Sequence, residues 1–254
     1  MYYQGDLSGS ALPDMRTSHL AADFSVGFRL NEAFKFQLGY MRGKISGADS
    51  LVPGHDKRNL QFVTPISDIR FMAAIDLFEL YHLIRPGKLM NYGEYSRKLI
   101  GPDLLLGFGI MRFNPKGEYQ GQLFALQPLG TEGQNIAGGG YPAPYKRWQF
   151  SLKIGGGIGF RISQQVHLET EFIYHILFTD YLDDVSGNYP DYNALLNSRD
   201  GDLAQHFTYG GRDGSKIAAG TPRGNPNAND GIVTFGLRLT YVFSRNQVDK
   251  MIKL

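Results

Sequence analysis

The sequence predicts an all-β fold, an eight-stranded antiparallel transmembrane β-barrel with a side-chain-filled lumen and long extracellular loops. Three observations predict it. Apolar residues recur with a period of two along seven segments, which is strand and not helix spacing. The faces between them carry full charges of both signs and clustered glycines. Tight turns on one rim alternate with long loops on the other, the asymmetry of outer-membrane barrels.

Met1–Leu7 supplies the end of a first strand. In the second, Leu20, Ala22, Phe24, Val26, Phe28 and Leu30 share one face, and Ala21, Asp23, Ser25, Gly27 and Arg29 the other. After Asn31-Glu32 the third sets Phe34, Phe36, Leu38 and Tyr40 against Lys35, Gln37, Gly39 and Met41. A fourth opens at Asn59, carries a proline at 65, and sets Ile69, Phe71, Ala73, Ile75 and Leu77 against Asp68, Arg70, Met72, Ala74 and Asp76. The fifth alternates Leu104, Leu106, Phe108 and Ile110 with Asp103, Leu105, Gly107, Gly109 and Met111.

The sixth is the clearest, running Trp148, Phe150, Leu152, Ile154, Gly156, Ile158, Phe160 and Ile162 against Lys153, Arg161 and a set of glycines. In the seventh, Val166, Leu168, Phe172, Tyr174, Ile176 and Phe178 oppose His167, Glu169, Glu171 and His175. The last sets Val233, Phe235, Leu237, Leu239, Tyr241 and Phe243 against Thr234, Gly236, Arg238 and Thr240. One domain covers 1–254, with a long periplasmic connection at 78–100, a long extracellular loop at 180–229 and a periplasmic tail at 244–254. Within the connection, Leu77, Leu80, Tyr81 and Ile84 have the spacing of a short helix before Pro86-Gly87, and a continued fourth strand is the alternative.

Composition excludes other classes. The 254 residues contain no cysteine, so there is no disulfide framework, thiol nucleophile or thiolate metal site. With 26 basic and 24 acidic residues, nothing points to nucleic acid. No apolar run approaches the ~20 residues of a membrane helix. A mean hydropathy of -0.27 does not argue against a barrel, because alternating faces average out.

The charged faces carry six cations, Arg29, Lys35, Arg70, Lys153, Arg161 and Arg238, and six anions, Asp23, Asp68, Asp76, Asp103, Glu169 and Glu171. They are expected to pair as a lumenal network, since buried charge without a partner is costly. An inner apolar face would instead make a soluble, ligand-binding barrel. Tyr241 and Phe243 at one rim, and Trp148 and Tyr40 at the other, suit interfacial girdles.

Several groups suggest chemistry. His167, Glu169, Glu171 and His175 share one strand face, but alternate residues lie nearly 7 Å apart, so pairing of the glutamates with neighbouring Arg and Lys is expected in place of Zn²⁺ or Mn²⁺. Asp180, Asp183 and Asp184 are weak calcium candidates; the EF-hand spacing is absent, and solvated loop acids in Asx turns explain them. Gly155-Gly156-Gly157-Ile158-Gly159 lies inside a strand and fits a bend, or room for a long lumenal side chain, better than a phosphate loop. His19 and His206 near the long-loop rim are where an outer-membrane barrel enzyme acting on lipid or peptide would place a base, though no nucleophile elbow accompanies them.

Four stretches read together resemble a known family: Arg58-Asn59-Leu60-Gln61-Phe62, Phe113-Asn114-Pro115, Leu126 to Gln134 (LQPLGTEGQ) and Phe178 to Tyr189 (FTDYLDDVSGNY). With Tyr2-Tyr3-Gln4-Gly5-Asp6-Leu7, they resemble the PorG family, the eight-stranded outer-membrane protein of the type IX secretion system. The resemblance implies a non-enzymatic component of the bacterial outer membrane, with no cofactor, catalytic residue or small-molecule substrate. Outer-membrane lipid and the periplasmic ring proteins PorK and PorN are its implied partners. It also implies that more strand and a signal peptide precede Met1. The surfaces expected to meet a ring are on the short-turn rim, with Arg85, Lys88, Arg97 and Lys98 in the 78–100 connection and Arg245, Lys250 and Lys253 in the tail.

Overall fold

The computed structural model describes residues 1–8, 14–55, 58–85 and 99–243. The strands are β1 (Tyr2–Gln4), β2 (Ala22–Arg29), β3 (Phe34–Ala48), β4 (Gln61–Asp76), β5 (Leu99–Phe113), β6 (Lys116–Tyr119), β7 (Gln122–Ala125), β8 (Trp148–Arg161), β9 (Val166–Leu177) and β10 (Gly231–Tyr241). All pair antiparallel, and the main path runs β1-β10-β9-β8-β5-β4-β3-β2, with β6 and β7 as a side hairpin. The helices are α1 (Leu77–Ile84), α2 (Tyr192–Leu196) and α3 (Gly201–Tyr209).

The all-β class is as expected from the sequence; among the described residues ten strands form, eight of them along one open path. The two extra strands form a hairpin about Gln120 and Gly121, both at positive φ, the geometry of a two-residue turn. Four residues a side with mixed polarity leave no alternation to read. The path stays open because β1 covers only Gly231–Val233 of β10, leaving β1 and β2 as its edges.

The alternation fixes which side is buried. Phe24, Val26, Phe28, Leu38, Phe108, Ile110, Phe150, Phe172, Phe235, Leu237 and Leu239 point outward and are exposed, Phe235 and Leu237 at 71% each. On the opposite face Asp68, Arg70, Ser151, Lys153, Glu169 and His175 are buried. Apolar outside and charged inside is the reverse of a water-soluble sheet sandwich or barrel. Phe28, Phe36, Phe71, Phe108, Phe150 and Phe178 form a continuous ring ladder over the outer face, with neighbouring centroids 5.5 to 6.3 Å apart.

The sheet curls until its far ends share side-chain contacts. Arg238 of β10 donates to Gln37 of β3 (2.5 Å) and Asp23 of β2 (3.4 Å). Lys35 of β3 reaches Glu169 of β9 at 3.7 Å. Pro65 stays in register with Lys44 of β3 but falls in a break of the ladder on its other side, between the pairs Ile66–Phe113 and Val63–Lys116. On the short-turn side β4 ends in α1, the helical one of the two alternatives the sequence left open, because Asp76 caps it by accepting from the amides of Phe78 and Glu79 (3.0 and 3.1 Å).

Candidate functional site

The long loops do not spread into solvent; they fold together into a cap over one rim of the sheet. Strand ends and loops share one apolar core of Tyr3, Leu7, Leu60, Phe62, Phe113, Tyr145, Leu182 and Val185. A second core belongs to the loops alone and packs Leu126, Leu129 and Tyr189 against Leu195, Ala204, Phe207 and Tyr209 of α2 and α3. Within this second core the Tyr189 and Tyr209 rings stack at 5.4 Å.

Between the two cores runs a buried polar network. The Glu132 carboxylate accepts from the amides of Ser186 (2.9 Å) and Gly187 (3.0 Å) and from Arg223 Nη1 (3.0 Å). Arg223 also donates to the Asp184 carbonyl, so one guanidinium ties two loops together. Asp184 accepts from the hydroxyls of Thr131 (2.5 Å) and Tyr145 (2.6 Å). Arg58 holds Asp49 at 2.6 Å and donates to the backbone carbonyls of Asp6 and Arg223. Burial raises the pKa of Tyr145, with the Asp184 charge adding to it.

Carboxylates crowd the base of the cap. The Tyr3 hydroxyl lies 2.5 Å from Asp183 Oδ2 and 2.9 Å from Asp230 Oδ1. One phenolic proton serves only one of those contacts, so the other needs a proton on a carboxyl. Burial accordingly raises both Asp183 and Asp230, and the Asp183 charge raises Asp230 further. Burial lifts Asp184 to about 6. Asp180 is lifted to about 8, again by burial, with Ser186 opposing and Asp183 and Asp6 adding. Neither Asp180 carboxylate oxygen has a hydrogen bond of normal geometry.

These aspartates are therefore not solvated loop acids, as their composition suggested; they are buried, at 5% exposure or less for Asp180, Asp183 and Asp184. As calcium ligands they do not come together. Asp183 is committed to Tyr3 and the Val185 amide, Asp184 to Thr131 and Tyr145. Among the described residues no three His, Asp or Glu side chains converge as a metal site.

The charged inner face lies beneath the cap. Lys153 pairs with Asp68 (3.2 Å), Lys35 with Asp103 (3.1 Å), Arg70 with Asp23 (2.7 Å) and Arg238 with Glu171 (2.6 Å). Glu171 pairs with Arg238 of the neighbouring strand, as expected, whereas Glu169 accepts from the Thr240 hydroxyl of that strand and takes its cation, Lys35, from the distant β3. Two of the twelve charges depart from the expected network. Arg29 turns to Glu32 at the tight turn (3.1 Å), and Arg161 is exposed at the same rim. The cause is position, since both sit at strand ends; Asp76, at the end of β4, is buried and caps α1.

The two histidines set aside for an enzymatic reading have separate partners. His19 Nε2 pairs with Ser46 Oγ (2.8 Å), and His206 stacks on Tyr119 with centroids 4.2 Å apart. His206 borders a cavity of about 270 Å³ in the cap, together with Leu60, Glu118, Tyr119, Phe207 and Arg223. Of the residues expected to face a periplasmic partner, Arg85 is exposed and its guanidinium lies 6.0 Å from the Tyr81 ring. Lys88, Arg97, Lys98, Arg245, Lys250 and Lys253 lie outside the described residues.

Sequence reasoning missed Arg223, Glu132 as its partner, and Asp230 as the mate of Asp183. Arg223 and Asp230 stand in a loop rich in Gly, Asn and Asp, with no periodicity to mark them. The four stretches quoted above do converge: Arg58, Phe113, Thr131, Glu132, Asp183 and Asp184 all meet inside the cap. A scan against family models, a search of curated proteins and a search of solved structures each return no match.

Proposed function

We propose that this chain is a closed, eight-stranded antiparallel barrel in a bacterial outer membrane, acting as a non-enzymatic component of the type IX protein secretion machinery. The observation that carries the membrane reading is the inverted distribution of side chains. A belt of Phe, Leu, Ile and Val faces outward while Lys153, Asp68, Arg70 and Glu169 are buried behind it. In water such a belt is a cost with no return, whereas in hydrocarbon it is the matching surface.

The dimensions agree. The eleven residues of β10 make ten steps, which at about 3.4 Å each and tilted about 40° rise by roughly 26 Å, close to the apolar band of outer-membrane barrels. Trp148 near the cap, 56% exposed, and Tyr241 and Phe243 near the opposite rim, 48% and 54%, stand where interfacial aromatics belong.

The secretion role rests on the resemblance to the PorG family, and the cap supports it in one respect. The quoted stretches supply the buried residues that hold the cap together, so the likeness falls on residues that determine structure. The short-turn rim, with α1 and the exposed Leu83, Ile84 and Arg85, is the side available to PorK and PorN.

The test is affinity purification from mildly solubilised membranes, with identification of what copurifies. Recovery of the ring proteins supports the role, and a clean preparation without them overturns it. Heat-modifiable migration in detergent gels, with fractionation to the outer membrane, tests the barrel separately.

A further inference from the structure

The cap also holds the cavity bordered by His206. Its volume of about 270 Å³ lies just under the roughly 300–1,000 Å³ of drug-sized ligand pockets, so it suits one ring and not a chain of rings. Segments far apart in sequence close it: the start of β4, the β6–β7 hairpin, the loop after β9, α3 and the loop before β10. Leu60, Leu126, Val185 and Phe207 are buried and make an apolar floor. Asn59, Gln61, Glu118 and Gln120 are exposed and make a polar rim.

The rim is fixed before anything binds. Gly210 ends α3 at φ 63°, and a Cβ there would clash with the Arg58 and Asn59 carbonyls, so glycine lets the helix end seat against the entry to β4. At that contact the Asn59 amide donates to the Gly210 carbonyl at 2.7 Å, which leaves Asn59 Oδ1 to accept from elsewhere. Tyr119 and His206 brace another wall, their rings 4.2 Å apart, with Phe207 edge-on to His206 at 5.1 Å.

The groups on offer narrow the ligand. Arg223 is already paired with Glu132, and Asp183 is held by Tyr3 and the Val185 amide, so the floor has no spare charge of either sign. An anion would meet the Glu118 carboxylate, and a cation would find only Glu118 at the open rim while sitting beside Arg223. Hydrogen-bonding capacity of both kinds remains. Gln61 and Gln120 each carry donors and an acceptor, and His206, lowered by burial and so neutral at pH 7, offers one of each. Arg223 Nε, in a side chain 3% exposed, has no acceptor. Among the described residues it is the one buried polar atom of this wall without a hydrogen bond, a donor awaiting an oxygen.

We propose that this cavity binds a single sugar ring, with the Tyr119–His206 wall against its C–H face and the rim amides, Glu118 and Arg223 reading its hydroxyls. A sugar is neutral, rich in donors and acceptors, and apolar on one face, which is the combination the walls present. The site uses cap residues alone, so it stands whether or not the sheet lies in a membrane.

The full chain is refolded in an amine-oxide detergent, because sugar-headed detergents would occupy the site. Saturation-transfer NMR then screens glucose, galactose, mannose and N-acetylglucosamine, each as the free sugar and as its methyl glycoside. Acetate, methylguanidinium and N-acetylalanine methylamide serve as anionic, cationic and peptide probes. At least one sugar is expected to bind with a dissociation constant of about millimolar, with transfer strongest at the C–H protons of one ring face. Equal binding of a glycoside and its free sugar assigns the site to the end of a glycan, and binding of the free form alone assigns it to a free sugar.

Tyr119→Ala and Gln61→Ala are expected to weaken that binding at least fivefold. Glu118→Gln is expected to leave it within twofold, since a neutral ligand needs the hydrogen bond and not the charge. Gln61 and Glu118 are exposed and make no side-chain bond among the described residues, so their variants read the site even where Tyr119→Ala disturbs the cap. No transfer to any sugar, as from a cavity that holds water alone, would overturn the proposal. So would binding unchanged in Gln61→Ala, or preference for any of the three other probes.

Discussion

Lys153 and Asp68 are sealed from solvent, 3.2 Å apart, with the Ser151 hydroxyl 2.6 Å from the ammonium. A buried pair adds little over an apolar replacement, but half of one is expensive. Lys153→Ala therefore strands Asp68 and should cost about 3–5 kcal/mol, read from urea unfolding in detergent. The double variant Lys153→Met with Asp68→Leu should recover most of the loss. Asp180 sets a different dependence. Burial raises it from 3.8 to about 8, so the folded cap holds a proton that the unfolded chain releases at lower pH. Its contribution is whole below pH ~4 and is lost as pH rises towards 8, with Asp184, lifted to about 6, adding in the lower part of that window. Protection of residues 178–230 from proteolysis should decline from pH 5 to pH 9. Asp180→Asn should flatten that decline, and an unchanged slope would contradict the assignment.

At the scale of the strand, glycine positions report how close neighbours lie. A Cβ at Gly109 would meet Ile69 O at 2.5 Å, Lys153 Nζ at 2.7 Å and Asp68 Oδ1 at 2.9 Å, so glycine here makes room for the buried ion pair. At Gly155 the obstacle is backbone of β9, at Phe172 and Ile173, so there it permits close approach of two strands. Gly109→Ala should destabilise by about 1–3 kcal/mol through overpacking, and the loss should shrink in the Lys153→Met/Asp68→Leu background. A loss independent of that background would place the clash on Ile69 alone. The sequence made such strands readable, because lipid-like and packed faces impose a strict period of two. It did not reveal β6–β7, whose four-residue strands carry no period. Nor did it reveal the cap. Asp183 and Asp230, or Glu132 and Arg223, are joined by loop folding across 47 and 91 residues, and composition alone makes loop acids look solvated.

For the whole molecule, the question is whether the curled sheet conducts. The inner face of the curled sheet carries four ion pairs, Lys153–Asp68, Lys35–Asp103, Arg70–Asp23 and Arg238–Glu171, each joining strands one or two apart at 2.6 to 3.2 Å. Above them the cap adds two apolar cores and the Glu132–Arg223 bridge. Two barriers stand in series, and they are separable. Arg223→Ala leaves Glu132 buried without its cation, and should loosen the cap by about 3–5 kcal/mol, visible as faster proteolysis of 178–230. It should open no ion path, because the lower layer is untouched. Reconstituted into planar bilayers, both the parent chain and Arg223→Ala should show no steady single-channel current. Conductance in the parent would mean that the interior is wet and the ion pairs are not a plug. Conductance only in Arg223→Ala would assign the seal to the cap, and would make loop movement, not the charged interior, the gate of this molecule.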